Sequence, residues 1–136
     1  MGVGVTQVHH IQIFVAPEFE QATKRFYSEV LGLEEIPKPE VFHKNEGAWY
    51  QHGPNQLHLS LLRQAKGVAE DNRGSQRHVC YMVADLAHAE KVMRAAGVEI
   101  LPDERPFDKW TRFYVRDPGG NYIEIAQMNA SPQNVG

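Results

Sequence analysis

The sequence predicts an α+β protein made of two tandem βαβββ-type units, because the chain is written twice. Three observations carry this reading. A strand followed by an amphipathic helix opens each half, at "HIQIFV" and again at "HVCYMV". Each helix closes on the same device, "LGLEEI" after the first and "AGVEIL" after the second. Each half then ends in a hairpin, "WYQHGPNQLHLSL" lying over "FYVRDPGGNYIEI". A unit of that size cannot cover its own sheet face, so two of them are expected to pack together.

The elements follow in chain order. Residues 8–15 alternate apolar and polar side chains, the period of a half-buried strand. A helix is predicted at 18–31: Pro17 suits a first helical turn, and Glu18 and Glu20 lie near the positive end of its dipole. Phe19, Ala22, Phe26 and Val30 form the expected apolar stripe, with Gly32 as terminator. Strands at 48–52 and 57–62 flank a Gly-Pro-Asn turn. In the second half a strand is predicted at 78–83 and a helix at 86–96. Asp85 is its cap, Leu86, Ala89, Val92, Met93 and Ala96 face inward, and Gly97 ends it. Strands at 112–116 and 121–127 enclose the second turn. A further short strand is expected in each connection, at 34–36 and 98–101. The whole chain, 1–136, reads as one domain: module one at 8–62, a polar linker at 63–77, module two at 78–127 and a tail at 128–136.

Bulk properties narrow the function. The 136 residues are 42% hydrophobic and 23% charged, with a formal net charge of −3, an ordinary globular composition. No basic run tracks a phosphate backbone, so nucleic acid is not an expected partner. No apolar run reaches the ~18 residues of a membrane span, and "MGVGVT" lacks the charged and apolar regions of a signal peptide. Cys80 is the single cysteine and has no internal partner, which fits a reducing, cytoplasmic setting.

The histidines carry the chemistry. Side chains two apart on a strand share a face. Ile11, Ile13 and Val15 therefore face the helix, and His10, Gln12 and Phe14 face away. In the repeat, Val79, Tyr81 and Val83 match the first set, and His78, Cys80 and Met82 the second. His10 and His78 are thus equivalent. In the closing strands, Gln56, His58 and Ser60 alternate with leucines, and Tyr122, Glu124 and Ala126 with isoleucines, which makes His58 and Glu124 equivalent. Three imidazoles and a carboxylate in repeat register suit a divalent transition metal. The competing reading is a polar cleft that binds a ligand without metal.

At these residues the chain resembles the vicinal oxygen chelate superfamily, which includes glyoxalase I, extradiol dioxygenases and bleomycin-resistance proteins. The matching stretches are "HIQIFV", "FYSEVLGLE", "LHLSL", "HVCYMV" and "RFYVRDPGGNYIEIAQ", spanning roughly residues 8–127. The resemblance implies modules whose strands form a curled mixed sheet around a cleft, and a homodimer whose sites are completed across the interface. It implies one divalent metal per site (Zn, Ni, Fe, Mn or Co) held by His10, His58, His78 and Glu124. Bacterial glyoxalase I carries a glutathione-binding arginine and asparagine where this chain has Phe14 and Leu62, so glutathione is not the expected substrate.

A metal held by three neutral imidazoles and one carboxylate keeps a charge of about +1, which favours an anionic bidentate oxygen ligand. The expected activity is isomerase, lyase or oxygenase chemistry on a small oxygenated, anionic substrate through a metal-bound enolate-like species. Glu124 and His58 are the candidate bases. Gln12, Trp49, Arg112 and Tyr122 are the candidate substrate-binding residues, with Arg112 suited to a carboxylate. The alternative is a metal-free protein of the bleomycin-resistance type that sequesters a small molecule at the dimer interface.

Overall fold

The computed structural model describes residues 2–62 and 76–130. Most of the expected linker and the end of the tail lie outside the described residues. Two compact units divide the chain, Met1–Asp71 and Asn72–Gly136, and each carries one small mixed sheet. The α+β architecture predicted from the repeat is present, and neither sheet closes on itself.

The first unit contains β1 (His10–Val15), β2 (Glu34–Ile36), β3 (Ala48–His52) and β4 (Asn55–Leu61), in the spatial order β1-β4-β3-β2. β1 runs parallel to β4, and the other pairings are antiparallel. The expected helix is one helical run of three pitches: a 3₁₀ turn at Pro17–Phe19, α1 at Glu20–Arg25 and a π turn at Phe26–Val30. Its buried residues are Thr23, Phe26 and Tyr27, whereas Phe19 is 41% exposed. The buried set stands at i, i+3 and i+4, the spacing of one face of an ordinary helix, rotated from the predicted stripe so that Thr23 and Tyr27 join Phe26 on the core face in place of Phe19. Gly32 (φ 74°) then ends the run, as expected of a residue that must turn left-handed there.

Alternation sorts the sheet into a core face and an open face. Val15, Ala48, Tyr50, Leu57 and Leu59 are buried on the first. Tyr50 is fully buried, and its hydroxyl donates to the Lys24 carbonyl at 3.1 Å, which ties the sheet to the helix and satisfies that buried hydroxyl. Ile11 was expected on this face, but β1 is an edge strand and Ile11 stays exposed.

The second unit contains β5 (His78–Met82), α2 (Leu86–Ala95), β6 (Trp110–Arg116) and β7 (Tyr122–Met128), in the sheet order β5-β7-β6. Asp85 caps α2 by accepting from the His88 amide at 3.0 Å. Of the expected inward residues Met93 is buried, while Ala96 is exposed beyond the helix end. The strand expected at 98–101 is a single bridge from Leu101 to Tyr114. Pro102 follows it and has no N–H with which to extend the ladder. The core face holds Phe113, Val115, Ile123 and Ile125.

Candidate functional site

The open faces of the two sheets carry the candidate residues, and the strand registers explain why the halves match. In the first unit Gln12 lies opposite His58 across β1 and β4, and Trp49 lies opposite His58 across β3 and β4. In the second, Cys80 and Tyr114 lie opposite Glu124 in the same way. His10 and His78 each sit one diagonal step from the residue of the closing strand.

In the first unit this geometry makes a row of rings across the sheet. His10 stacks on His58 with centroids 4.1 Å apart and planes at 15°. Trp49 stacks on the other face of His58 at 4.0 Å and 3°, and Phe42 leans on Trp49 at 5.4 Å. A cavity of about 530 Å³ opens over the row, within the range of small-molecule sites. Lys38, His43, Gln12 and Ser60 also border it, and the Gln12 amide donates to the Ser60 hydroxyl. Burial pushes the His58 imidazole down to about 4, helped by the neighbouring His10, His9 and Lys38. A ring that stays neutral keeps a lone pair available for a metal or a proton.

In the second unit His78 Nε2 lies 3.1 Å from Glu124 Oε1. Arg112 binds the other carboxylate oxygen, with Nη1 3.3 Å from Oε2, and its Nε donates to Asp103 at 3.0 Å. Glu124 is buried, at 6% exposure. The Arg112 guanidinium holds the Asp103 carboxyl below its ordinary range. Arg112 is thus committed to two carboxylates of its own chain. Tyr122 stacks on Tyr114 at 4.9 Å, and both present their rings edge-on to His78. Partial burial and the Glu124 charge push the Cys80 thiol up to about 11, so an exposed cysteine is held as the unreactive thiol.

Each unit offers its own donor pair to a metal. Two ligands at right angles, each ~2.1 Å from an ion, lie roughly 3 Å apart. His78 Nε2 and Glu124 Oε1 have that separation. The neutral His58 and its neighbour His10 have the right donor type. Among the described residues no group of three or more His, Cys, Asp or Glu gathers at one point. The His78–Glu124 pair thus has the spacing of two adjacent ligands, while His10 and His58 bring two imidazoles together ring on ring.

The sequence anticipated the two pairs but not everything around them. Gln56 and Ser60 are where alternation puts them. Lys38, Phe42 and His43 come from the connection before β3, and Asp103 from the connection before β6, where no period marks which side chains turn inward.

A model of the Glyoxalase/Bleomycin resistance protein/Dioxygenase superfamily matches residues 7–125. Among solved structures, a protein of Bacillus anthracis assigned to the glyoxalase family is 28% identical, with 95% of this chain and 100% of that chain covered and a TM-score of 0.79. A lactoylglutathione lyase of Agrobacterium tumefaciens is 19% identical over 90% and 94% of the two chains, with a TM-score of 0.67. An antibiotic binding protein from a Streptomyces species is 16% identical over 94% and 100%, with a TM-score of 0.68. No curated protein matches the chain.

Proposed function

We propose that this chain, which belongs to the Glyoxalase/Bleomycin resistance protein/Dioxygenase superfamily, is a divalent-metal-dependent enzyme acting on a small oxygenated anion. The observation that supports this is the matched register of two donor pairs, His10 with His58 and His78 with Glu124. Neither pair is sufficient alone, and the proposal is that the four residues serve one metal in a homodimer, one pair from each chain. The metal, when bound, supplies a positive centre that stabilises charge developing on substrate oxygen.

The chain's own residues do the rest. Arg112 holds Oε2 of Glu124, so Oε1 is the oxygen offered, either as ligand or as base. His58 is clamped between His10 and Trp49 and stays neutral at neutral pH, which suits it to ligation or to accepting a proton. Trp49 and Phe42 wall the cavity, and Lys38 at its border favours an anionic ligand. Arg112, expected to take a substrate carboxylate, is assigned here the holding of Glu124.

A second reading rests on the ring row and its cavity. Stacked rings beside about 530 Å³ of space also suit a planar molecule held without chemistry. The fold is shared by a lyase and by an antibiotic binding protein, so both uses are compatible with it. Calorimetric titration of chelator-stripped protein with Zn²⁺, Ni²⁺ and Mn²⁺ separates them. The enzyme reading expects stoichiometric binding that His10→Ala and Glu124→Gln each weaken at least tenfold. Binding unchanged in both variants, or none to any ion, would favour the second reading.

A further inference from the structure

The polar groups beside His58 form a chain whose direction is fixed at its far end. The Gln51 side chain lies 2.6 Å from the Gly53 carbonyl and 3.2 Å from the Asn55 carbonyl. Carbonyl oxygens only accept, so the Gln51 atom facing them is its NH₂. The remaining Gln51 atom is Oε1, also an acceptor only. The Gln56 atom 2.9 Å away must then be the Gln56 NH₂. That leaves Gln56 Oε1 facing His58 Nε2 at 2.8 Å. Two acceptors cannot bond each other, so Nε2 must carry the hydrogen. Each step follows from donor and acceptor chemistry, and reversing one amide would set like groups against each other along the whole chain.

We infer that Gln51 and Gln56 are positioning residues that fix the tautomer of His58, leaving Nδ1 as its one lone-pair nitrogen. The turn supplies the anchor. Gly53 and Asn55 belong to the hairpin closure, and Gln51 pairs with Gln56 across β3 and β4. The relay thus starts at backbone carbonyls of the turn and ends on the imidazole. The stack completes it: His10 and Trp49 lie on the two faces of the ring, which opposes the rotation needed to exchange its nitrogens.

The inference rests on the proposed role of His58 and sharpens it, because ligation or proton acceptance would have to use Nδ1. An unassisted neutral imidazole in water favours the Nε2–H form only modestly, so the relay would show as one sharply defined tautomer. The matching position in the second unit is Tyr122, with Arg116 lying over its ring at 4.5 Å. Among the described residues no such relay of amides ends on Glu124, which needs none, since a carboxylate has no tautomer to choose.

The test is a long-range ¹H–¹⁵N correlation spectrum of the full, chelator-stripped, ¹⁵N-labelled protein at neutral pH. His58 is expected to show a protonated, pyrrole-type Nε2 and a pyridine-type Nδ1. Gln56→Met, which removes the acceptor facing Nε2, should move both nitrogens toward averaged positions. Gln51→Met should give an intermediate pattern. An Nδ1–H tautomer in the wild type, or an unaltered pattern in Gln56→Met, would overturn the relay. Addition of Zn²⁺ afterwards separates the two claims: a shift at Nδ1 supports ligation there, and no shift at either nitrogen counts against the metal reading while the tautomer result stands.

Discussion

Acidifying the metal-free protein should destabilise it through His58, and the size of the effect follows from the burial of that ring. Its imidazole is pushed from 6.5 to about 4 in the folded chain. Between those values the unfolded chain binds a proton that the folded one refuses, so stability falls as pH falls. The contribution is complete above 6.5, erodes between 6.5 and 4, and has no further slope below 4. At ~1.4 kcal/mol per pH unit, that gap corresponds to about 3 kcal/mol. Urea unfolding followed by tryptophan fluorescence, from pH 7.5 to 4, reads it as the difference between wild type and His58→Asn, since acid effects common to both cancel. The stability of the wild type relative to the variant should drop by about 3 kcal/mol across the window. Parallel curves for the two proteins would show that His58 titrates normally, and the neutral ring on which the site depends would be lost from the account.

Other expectations follow from the same packing. Leu59→Ala removes a fully buried side chain at the centre of the first sheet and should cost about 2–5 kcal/mol in chemical denaturation. Gly47→Ala should be worse tolerated than its size suggests. Gly47 has φ 63°, and an added Cβ would sit 2.0 Å from the Leu59 carbonyl oxygen; ~1–2 kcal/mol from the left-handed backbone alone is a floor, measurable as a fall in the denaturation midpoint. Arg112→Met leaves Glu124 and Asp103 without their shared cation and should lower the denaturation midpoint, with a smaller loss in the Arg112→Met, Glu124→Gln double variant. Asp85→Ala removes the cap of α2 and should cost ~1 kcal/mol.

Much of this was legible because both halves obey simple periods. Alternation placed His10, Gln12 and His58 on one face and Ile13, Val15 and Leu59 on the other, and the pairing registers agree. Glycines 32 and 97 marked where the helices end. The first helix shows where periodicity stops being enough. A 3.6-residue count put Phe19 inward and missed Tyr27, because the buried face also carries Thr23, a polar residue that leaves no mark in the apolar pattern. The companions of the site were hidden for a different reason. Arg112 read as a free cation, since its partner Asp103 stands nine residues away in an irregular connection. Alternation puts Gln56 on the same face as His58, but the direction of the Gln51 and Gln56 amides is set by the turn carbonyls of Gly53 and Asn55, which no period marks.

The central claim is that His10, His58, His78 and Glu124 together serve one metal, and elemental analysis of untagged protein purified without chelator tests it most directly. The account predicts about one equivalent of Zn, Ni, Fe, Mn or Co per chain in the wild type, and loss of that metal in His10→Ala and in Glu124→Gln alike, although those residues belong to different modules. Protein that carries no metal, even after incubation with each ion, would contradict it and leave the histidines as the polar lining of a binding cavity.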